Sequence, residues 1–153
     1  QQFETFFRCT GKLLDTDGVM LVHTIGRMGG PGSTDAFTRK YIFPGGYIPA
    51  LSETVAASEK SRLIATDVET WRLHYAHTLR AWYAKCEANR DRIVQMYDER
   101  FYRMWTFYLA GATAAFESGT MCNYQLQFAR HRHALPFSRD YMAQAEKDLL
   151  AKG

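Results

Sequence analysis

Val19-Met20-Leu21-Val22-His23-Thr24-Ile25 is short, rich in branched residues and apolar at odd and even positions alike. A half-solvated strand alternates polar and apolar residues, so this stretch reads as an interior strand of a sheet covered by helices. Upstream, Phe3, Phe6, Phe7, Leu13 and Leu14 recur at three- and four-residue steps, as on the buried face of a helix, with Gly11 a weak point near its end. Asp15, Asp17 and Gly18 turn the chain between the two segments. A helix leading into a buried strand is an α/β unit, and that sets the fold class.

Downstream, Gly26 to Ser33 is rich in glycine but lacks the GxGxxG spacing that cradles phosphates, so a mobile loop is expected. In Tyr41-Ile42-Phe43-Pro44-Gly45-Gly46-Tyr47-Ile48-Pro49, aromatic and branched residues flank a Pro-Gly-Gly turn. Ser52 is expected to cap a short helix through about Ser58, and Arg62 to Val68 alternates as a second strand. Helical periodicity then runs from His74 to Gly119, with breaks expected at Asp91 and Asp98 and a stop at Gly119. On the last of these helices Phe101, Trp105, Tyr108, Ala112 and Ala115 share a face, which Met104, Phe107, Gly111 and Ala114 widen. Tyr124, Leu126 and Phe128 alternate with Gln125, Gln127 and Ala129, a third strand whose polar face suits an antiparallel or edge position. Ser138 to Ala151 reads as an amphipathic tail helix with Met142, Ala145 and Leu149 inward.

At 153 residues and 46% hydrophobic, the chain can bury one core but is shorter than most enzymes that hold both a nucleotide-like cofactor and a lipid. A net charge of +3, with basic residues scattered among acids along the sequence, speaks against nucleic acid, which needs a basic stripe. It fits an anionic membrane face or an ordinary solvated surface equally. Cys9, Cys86 and Cys122 form no CxxC pair, which points to a reducing compartment. No leader pattern and no apolar run of membrane-spanning length is seen, so the expectation is a soluble or peripheral protein.

His23 lies near the carboxyl end of the first strand, where open α/β sheets place their ligands. It reads either as a hydrogen-bonded core residue or as a group that moves a proton near neutral pH. His74 and His77, and His131 and His133, lack the carboxylates or cysteines that would complete a metal site, so none is expected. Tyr75 is either a packed ring or a hydroxyl aimed into a cleft, and no serine stands in a GxSxG elbow. The ring-crowded helices, thinned by Leu109-Ala110-Gly111-Ala112-Thr113-Ala114-Ala115, are either plain core or the wall of an apolar slot for an acyl chain.

Five segments in order resemble one family: Phe6-Phe7, Leu21-Val22-His23-Thr24-Ile25-Gly26, Lys40-Tyr41-Ile42-Phe43-Pro44-Gly45-Gly46, Thr78-Leu79-Arg80-Ala81-Trp82-Tyr83, and Glu99 through Leu109. Over roughly residues 3 to 130 the chain is similar to the later half of cyclopropane-fatty-acyl-phospholipid synthases and mycolic acid cyclopropane synthases. The resemblance implies the carboxy-terminal part of a Rossmann-like methyltransferase fold: the last three strands of a mixed sheet with a helical lipid-pocket insertion at about 74–119, residues 1–137 in all, then a tail helix over 138–153. It implies transfer of a methyl or methylene group from S-adenosylmethionine to a cis double bond of an unsaturated phospholipid acyl chain, with bound bicarbonate as the base. His23, the backbone carbonyl of Ile25 and Tyr75 resemble bicarbonate ligands, while Tyr41, Trp82, Phe101, Trp105 and Tyr108 are candidates to line the lipid pocket. The glycine-rich loop, the acidic ribose contact and the upstream cysteine and glutamate of the bicarbonate site have no match in these residues. The expectation is therefore a stretch inactive alone, part of a cytoplasmic homo-oligomeric enzyme peripheral to the inner membrane face, that binds no nucleic acid. The alternatives are a noncatalytic lipid-binding or oligomerising module and a fatty-acyl methyltransferase that does not close the ring.

Overall fold

The computed structural model describes residues 2–152. In chain order the elements are α1 (Gln2–Leu13), β1 (Val19–Arg27), α2 (Ala36–Tyr41), α3 (Leu51–Glu59), β2 (Ile64–Trp71), α4 (His74–Ala88), α5 (Arg90–Met96), α6 (Glu99–Glu117), β3 (Met121–Ala129) and α7 (Asp140–Ala151). The strands form one sheet in the order β1-β3-β2, with β3 antiparallel to both neighbours.

Alternation of side chains divides this sheet into two unlike faces. Met20 and Val22 join Cys122, Tyr124, Leu126 and Phe128 on the first face, against which Phe7 of α1, Ala57 of α3 and Leu63 pack as the main core. Phe7 and Phe128 meet edge-on at 5.2 Å between ring centres. On the second face, at the end where β1 finishes and β3 begins, Ile25 and Met121 support a separate core of Ala76, Leu79, Leu109 and Phe116 between α4 and α6. Gly26 is required where the faces meet the turn, because a Cβ there would lie 2.2 Å from the Tyr124 ring, whose hydroxyl donates to the Arg27 carbonyl at 3.1 Å.

The interior position expected for β1 is not what the sheet order gives. β1 is an edge, with Val19 and Leu21 40% and 63% exposed, because the helices of residues 2–152 cover its Met20/Val22 side and leave most of the other open. β3 is antiparallel, one of the two positions its polar face suits, but it is central and not an edge. Its Gln127 side-chain carbonyl accepts from the Thr66 hydroxyl at 2.9 Å and from the Tyr141 hydroxyl at 3.1 Å.

Local chemistry explains the other boundaries. The glycine-rich segment expected to be free is tied to Arg27, whose guanidinium donates to the carbonyls of Ile48 at 3.2 Å and Ser33 at 3.3 Å. α2, unforeseen, starts where the Asp35 carboxylate accepts from the Thr38 amide at 2.8 Å, a hydrogen bond that holds this carboxyl below its usual range. α3 is capped from Glu53, which accepts from the Ala50 amide at 2.8 Å, and not from Ser52. The break between α4 and α5 falls at Asn89, two residues before Asp91, with its side chain donating to the Lys85 carbonyl. Asp98 caps α6 as expected, accepting from the Phe101 amide at 2.6 Å, and Gly119 at φ 88° ends it. α7 docks only by its first turn, through Tyr141 and the Arg139–Asp67 ion pair. Leu149, expected to face inward, is 68% exposed.

Candidate functional site

His23 and Ile25 lie two residues apart on the second face of β1, opposite Gln125 and Asn123 of β3. Ile25 packs against the α4–α6 core, and so does Tyr75 from the first turn of α4, its ring 5.1 Å from that of Phe116. The His23 imidazole and the start of α4 are joined through Trp71, which stands 6.3 Å from the His23 ring and 5.0 Å from that of His74, the neighbour of Tyr75. Ile25 and Tyr75 thus share one core at the end of β1, and His23, at the middle of the strand on the same face, reaches the start of α4 through Trp71. The Arg27 amide donates outward to Pro49 at 2.9 Å, away from β3, and in an antiparallel ladder the Ile25 carbonyl shares that direction. That carbonyl accepts from the Thr24 hydroxyl at 2.9 Å, which leaves a lone pair for a second donor.

Next to this cluster a row of rings runs along α6. Phe101 and Trp105 stack with centres 6.4 Å apart, and Trp105 meets Tyr108 at 5.4 Å. Burial pushes the Tyr108 phenol up, and the nearby Tyr75 phenol adds to the shift. The α2 segment closes over the row, with Phe43 on Tyr108 at 6.0 Å and Phe37 on Phe107 at 5.1 Å. Phe37, Tyr41, Asp98, Arg100, Phe101 and Met104 enclose a cleft of about 410 Å³ between α2 and the start of α6. Of the expected lipid-facing residues, Tyr41, Phe101, Trp105 and Tyr108 therefore form one continuous path to Tyr75. Trp82 flanks Tyr75 from the other side at 5.9 Å. The small residues of α6 divide: Ala112 packs into the core, whereas Ala110, Gly111 and Ala114 are exposed.

Asn123 is the residue that the sequence reading missed. It is 2% exposed, and its side-chain amide nitrogen lies 3.3 Å from His23 Nε2, so it sets how the imidazole is turned. Its Oδ1 and the Oε1 of Gln125 are buried without a partner among the described residues, two acceptors pointing to a donor-bearing ligand on this face. The available signal is that Asn123 continues the alternation of Gln125 and Gln127 along β3.

Three hydrogen-bonding groups beside an apolar wall suit a small anion that carries a proton: His23 and Tyr75 can donate, and the Ile25 carbonyl can accept. The seat usual for S-adenosylmethionine is a glycine-rich turn between a strand and a helix with an acidic ribose contact. The glycine segment here wraps Arg27 and runs into α2 through Asp35, so the residues present do not form that seat.

The family model described as mycolic acid cyclopropane synthetase matches residues 1–126. The cyclopropane-fatty-acyl-phospholipid synthase of Escherichia coli is 32% identical over 130 residues, covering 85% of this chain and 34% of the relative. A probable fatty acid methyltransferase of Pseudomonas putida is 35% identical over 136 residues, covering 86% and 34%. Among solved structures, mycolic acid cyclopropane synthase CmaA1, complexed with SAH and CTAB, superposes with a TM-score of 0.77 at 28% identity, covering 83% of this chain and 49% of that one. The chain spans about a third of the length of the two curated relatives and half of the CmaA1 structure. Its strands, helical hairpin and sheet order are those of a methyltransferase fold, and the chain belongs to the mycolic acid cyclopropane synthetase family.

Proposed function

We propose that these residues form the lipid-side half of an S-adenosylmethionine-dependent methyltransferase acting on the cis double bond of an unsaturated acyl chain. The observation that carries this reading is that Ile25 and Tyr75 share the core beside the aromatic row along α6, with His23 on the same face of β1 and joined to α4 through Trp71. The cofactor supplies the methyl group from a seat outside residues 2–152. A bicarbonate at the head of the row would supply the base that takes a proton after methyl transfer. His23 and Tyr75 hold that anion by donating to it, the Ile25 carbonyl accepts its hydroxyl, and Asn123 fixes the His23 ring. Tyr108 and Trp105 present ring faces to the developing cation and keep water away from it. The acyl chain lies along Phe101 and Trp105 toward the cleft beside Tyr41. A phospholipid substrate, attachment to the inner membrane face and assembly into a homo-oligomer belong to the same reading, supported by the E. coli relative's name and by the apolar surface at Val19 and Leu21.

Methyl transfer without ring closure is the second reading, favoured by the Pseudomonas relative named as a fatty acid methyltransferase. Both are tested in the longer protein that carries these residues, by mass spectrometry of host lipids. His23→Ala and Tyr75→Phe should each lower product by at least about tenfold with the melting temperature unchanged, the loss expected for a removed charge-assisted bond at a reacting centre. Full activity in both variants would remove the assignment, and the product itself, cyclopropane or methyl branch, separates the two readings.

A further inference from the structure

At the far end of the sheet from Tyr75, the structure gathers charges that the sequence disperses. Arg8 and Lys12 of α1, Lys60 and Arg62 of the turn between α3 and β2, and Arg130 with His131 after β3 line a cleft of about 560 Å³, together with the hydroxyl-bearing Thr5 and Ser61. The only carboxylate in its lining is Glu4, which is already paired with Lys60. Five cations against one carboxylate make this cleft +4, although the whole chain is only +3. The entire basic excess therefore sits here, and the rest of the surface is slightly acidic. Among the described residues, Arg8, Lys12, Arg62 and Arg130 face no carboxylate at ion-pair distance.

The backbone beneath Arg62 is a second, independent observation. α3 ends in a Schellman turn, with the Leu63 amide donating to the Ser58 carbonyl at 3.3 Å and the Arg62 amide to that of Glu59 at 3.0 Å. The position between them takes a left-handed conformation that glycine adopts freely, yet arginine stands there at φ 55°, the one non-glycine residue with positive φ among the described residues. Strain held at a single point, with its guanidinium set into a cleft of unpaired cations, marks a site with a task.

We propose that this cleft binds a phosphate-bearing anion. Guanidinium forks at Arg8, Arg62 and Arg130 match the paired oxygens of a phosphate monoester or diester, and the hydroxyls of Thr5 and Ser61 complete a donor lining. His23 pairs with Gln125, five positions before Arg130, which puts roughly 16 Å between them at about 3.3 Å per residue, so the anion is a ligand distinct from anything held at His23. The shared chemistry is that of a lipid headgroup phosphate or of a free phosphate compound.

The test uses the full chain in two arms, amide chemical shifts during titration with inorganic phosphate and sedimentation with vesicles of phosphatidylglycerol and phosphatidylcholine against phosphatidylcholine alone. Saturable shifts at residues 60–62 and 130–131 are expected. Arg62→Gly should weaken binding roughly fivefold, the loss of one charge-assisted bond, while raising the melting temperature by relieving the turn. Lys85→Gln, outside the cleft, should change neither. Sedimentation only with phosphatidylglycerol, lost in Arg62→Gly, assigns the anion to a headgroup, whereas phosphate binding without sedimentation assigns it to a free compound. Binding in neither arm, or an Arg62→Gly variant that binds as the parent does, overturns the proposal.

Discussion

Tyr124 shows how much one side chain of the central strand carries. Its ring occupies the space that Gly26 leaves free, its hydroxyl donates to the Arg27 carbonyl, and burial pushes its phenol up to about 12 from an ordinary 10.0. The neutral form is the one the fold favours, so this contribution is fully present below pH 10 and is lost as the pH rises through about 12. Unfolding free energy measured in urea should fall by on the order of 2 kcal/mol across that window. In Tyr124→Phe the curve should be shallower there, starting about 1 kcal/mol lower for the lost hydrogen bond. An equally steep fall in the variant would show that other groups set the alkaline limit. At this scale the sequence singled out His23 as lying near the end of a shorter strand, whereas β1 runs on to Arg27 and holds it at mid-strand, and it gave no sign of Asn123. An amide that aligns a partner 100 positions away leaves no local pattern, because their meeting depends on strand register.

Elements read well wherever a side chain alone determines them. Asp98 and Gly119 bounded α6 in advance because a cap and a left-handed stop are local chemistry. The antiparallel role of β3 read from its alternation, but the place of β1 in the sheet did not, since a doubly apolar strand and an alternating one differ in what covers them, and cover is a property of the whole assembly. β1 is apolar on two sides but covered mainly on one, and β3 spends its polar face on Thr66, Tyr141 and His23. The α4–α6 hairpin rests on Leu79 and Leu109, both fully buried. Leu79→Ala should cost about 2–5 kcal/mol and loosen Tyr75 from the sheet before the main core yields. Hydrogen exchange would register this as lost protection in α4 and α6 with β3 amides still protected; uniform loss would instead mean that the two cores form one cooperative unit.

Across the whole molecule, two cores on opposite faces of one sheet divide the labour. The α1–α3 side fixes the strands, and the α4–α6 side places Tyr75 over the end of β1. The family was legible in five ordered segments because four pack at this junction or along the aromatic row and the fifth, Phe6-Phe7, enters the main core through Phe7, where spacing constrains residue type. The clustered charge was not legible, since residues 8, 12, 60, 62 and 130 meet only through the fold. Among the described residues no helix is long and apolar enough to cross a membrane. The central claim is that His23 and Tyr75 act on one small anion, and it is tested by titrating the chain with ¹³C-labelled bicarbonate while following both side-chain rings by NMR. Saturable shifts in both rings with a common midpoint, the Tyr75 shift being abolished in His23→Ala, are the predicted result; shifts in only one ring, or none in either, would contradict it.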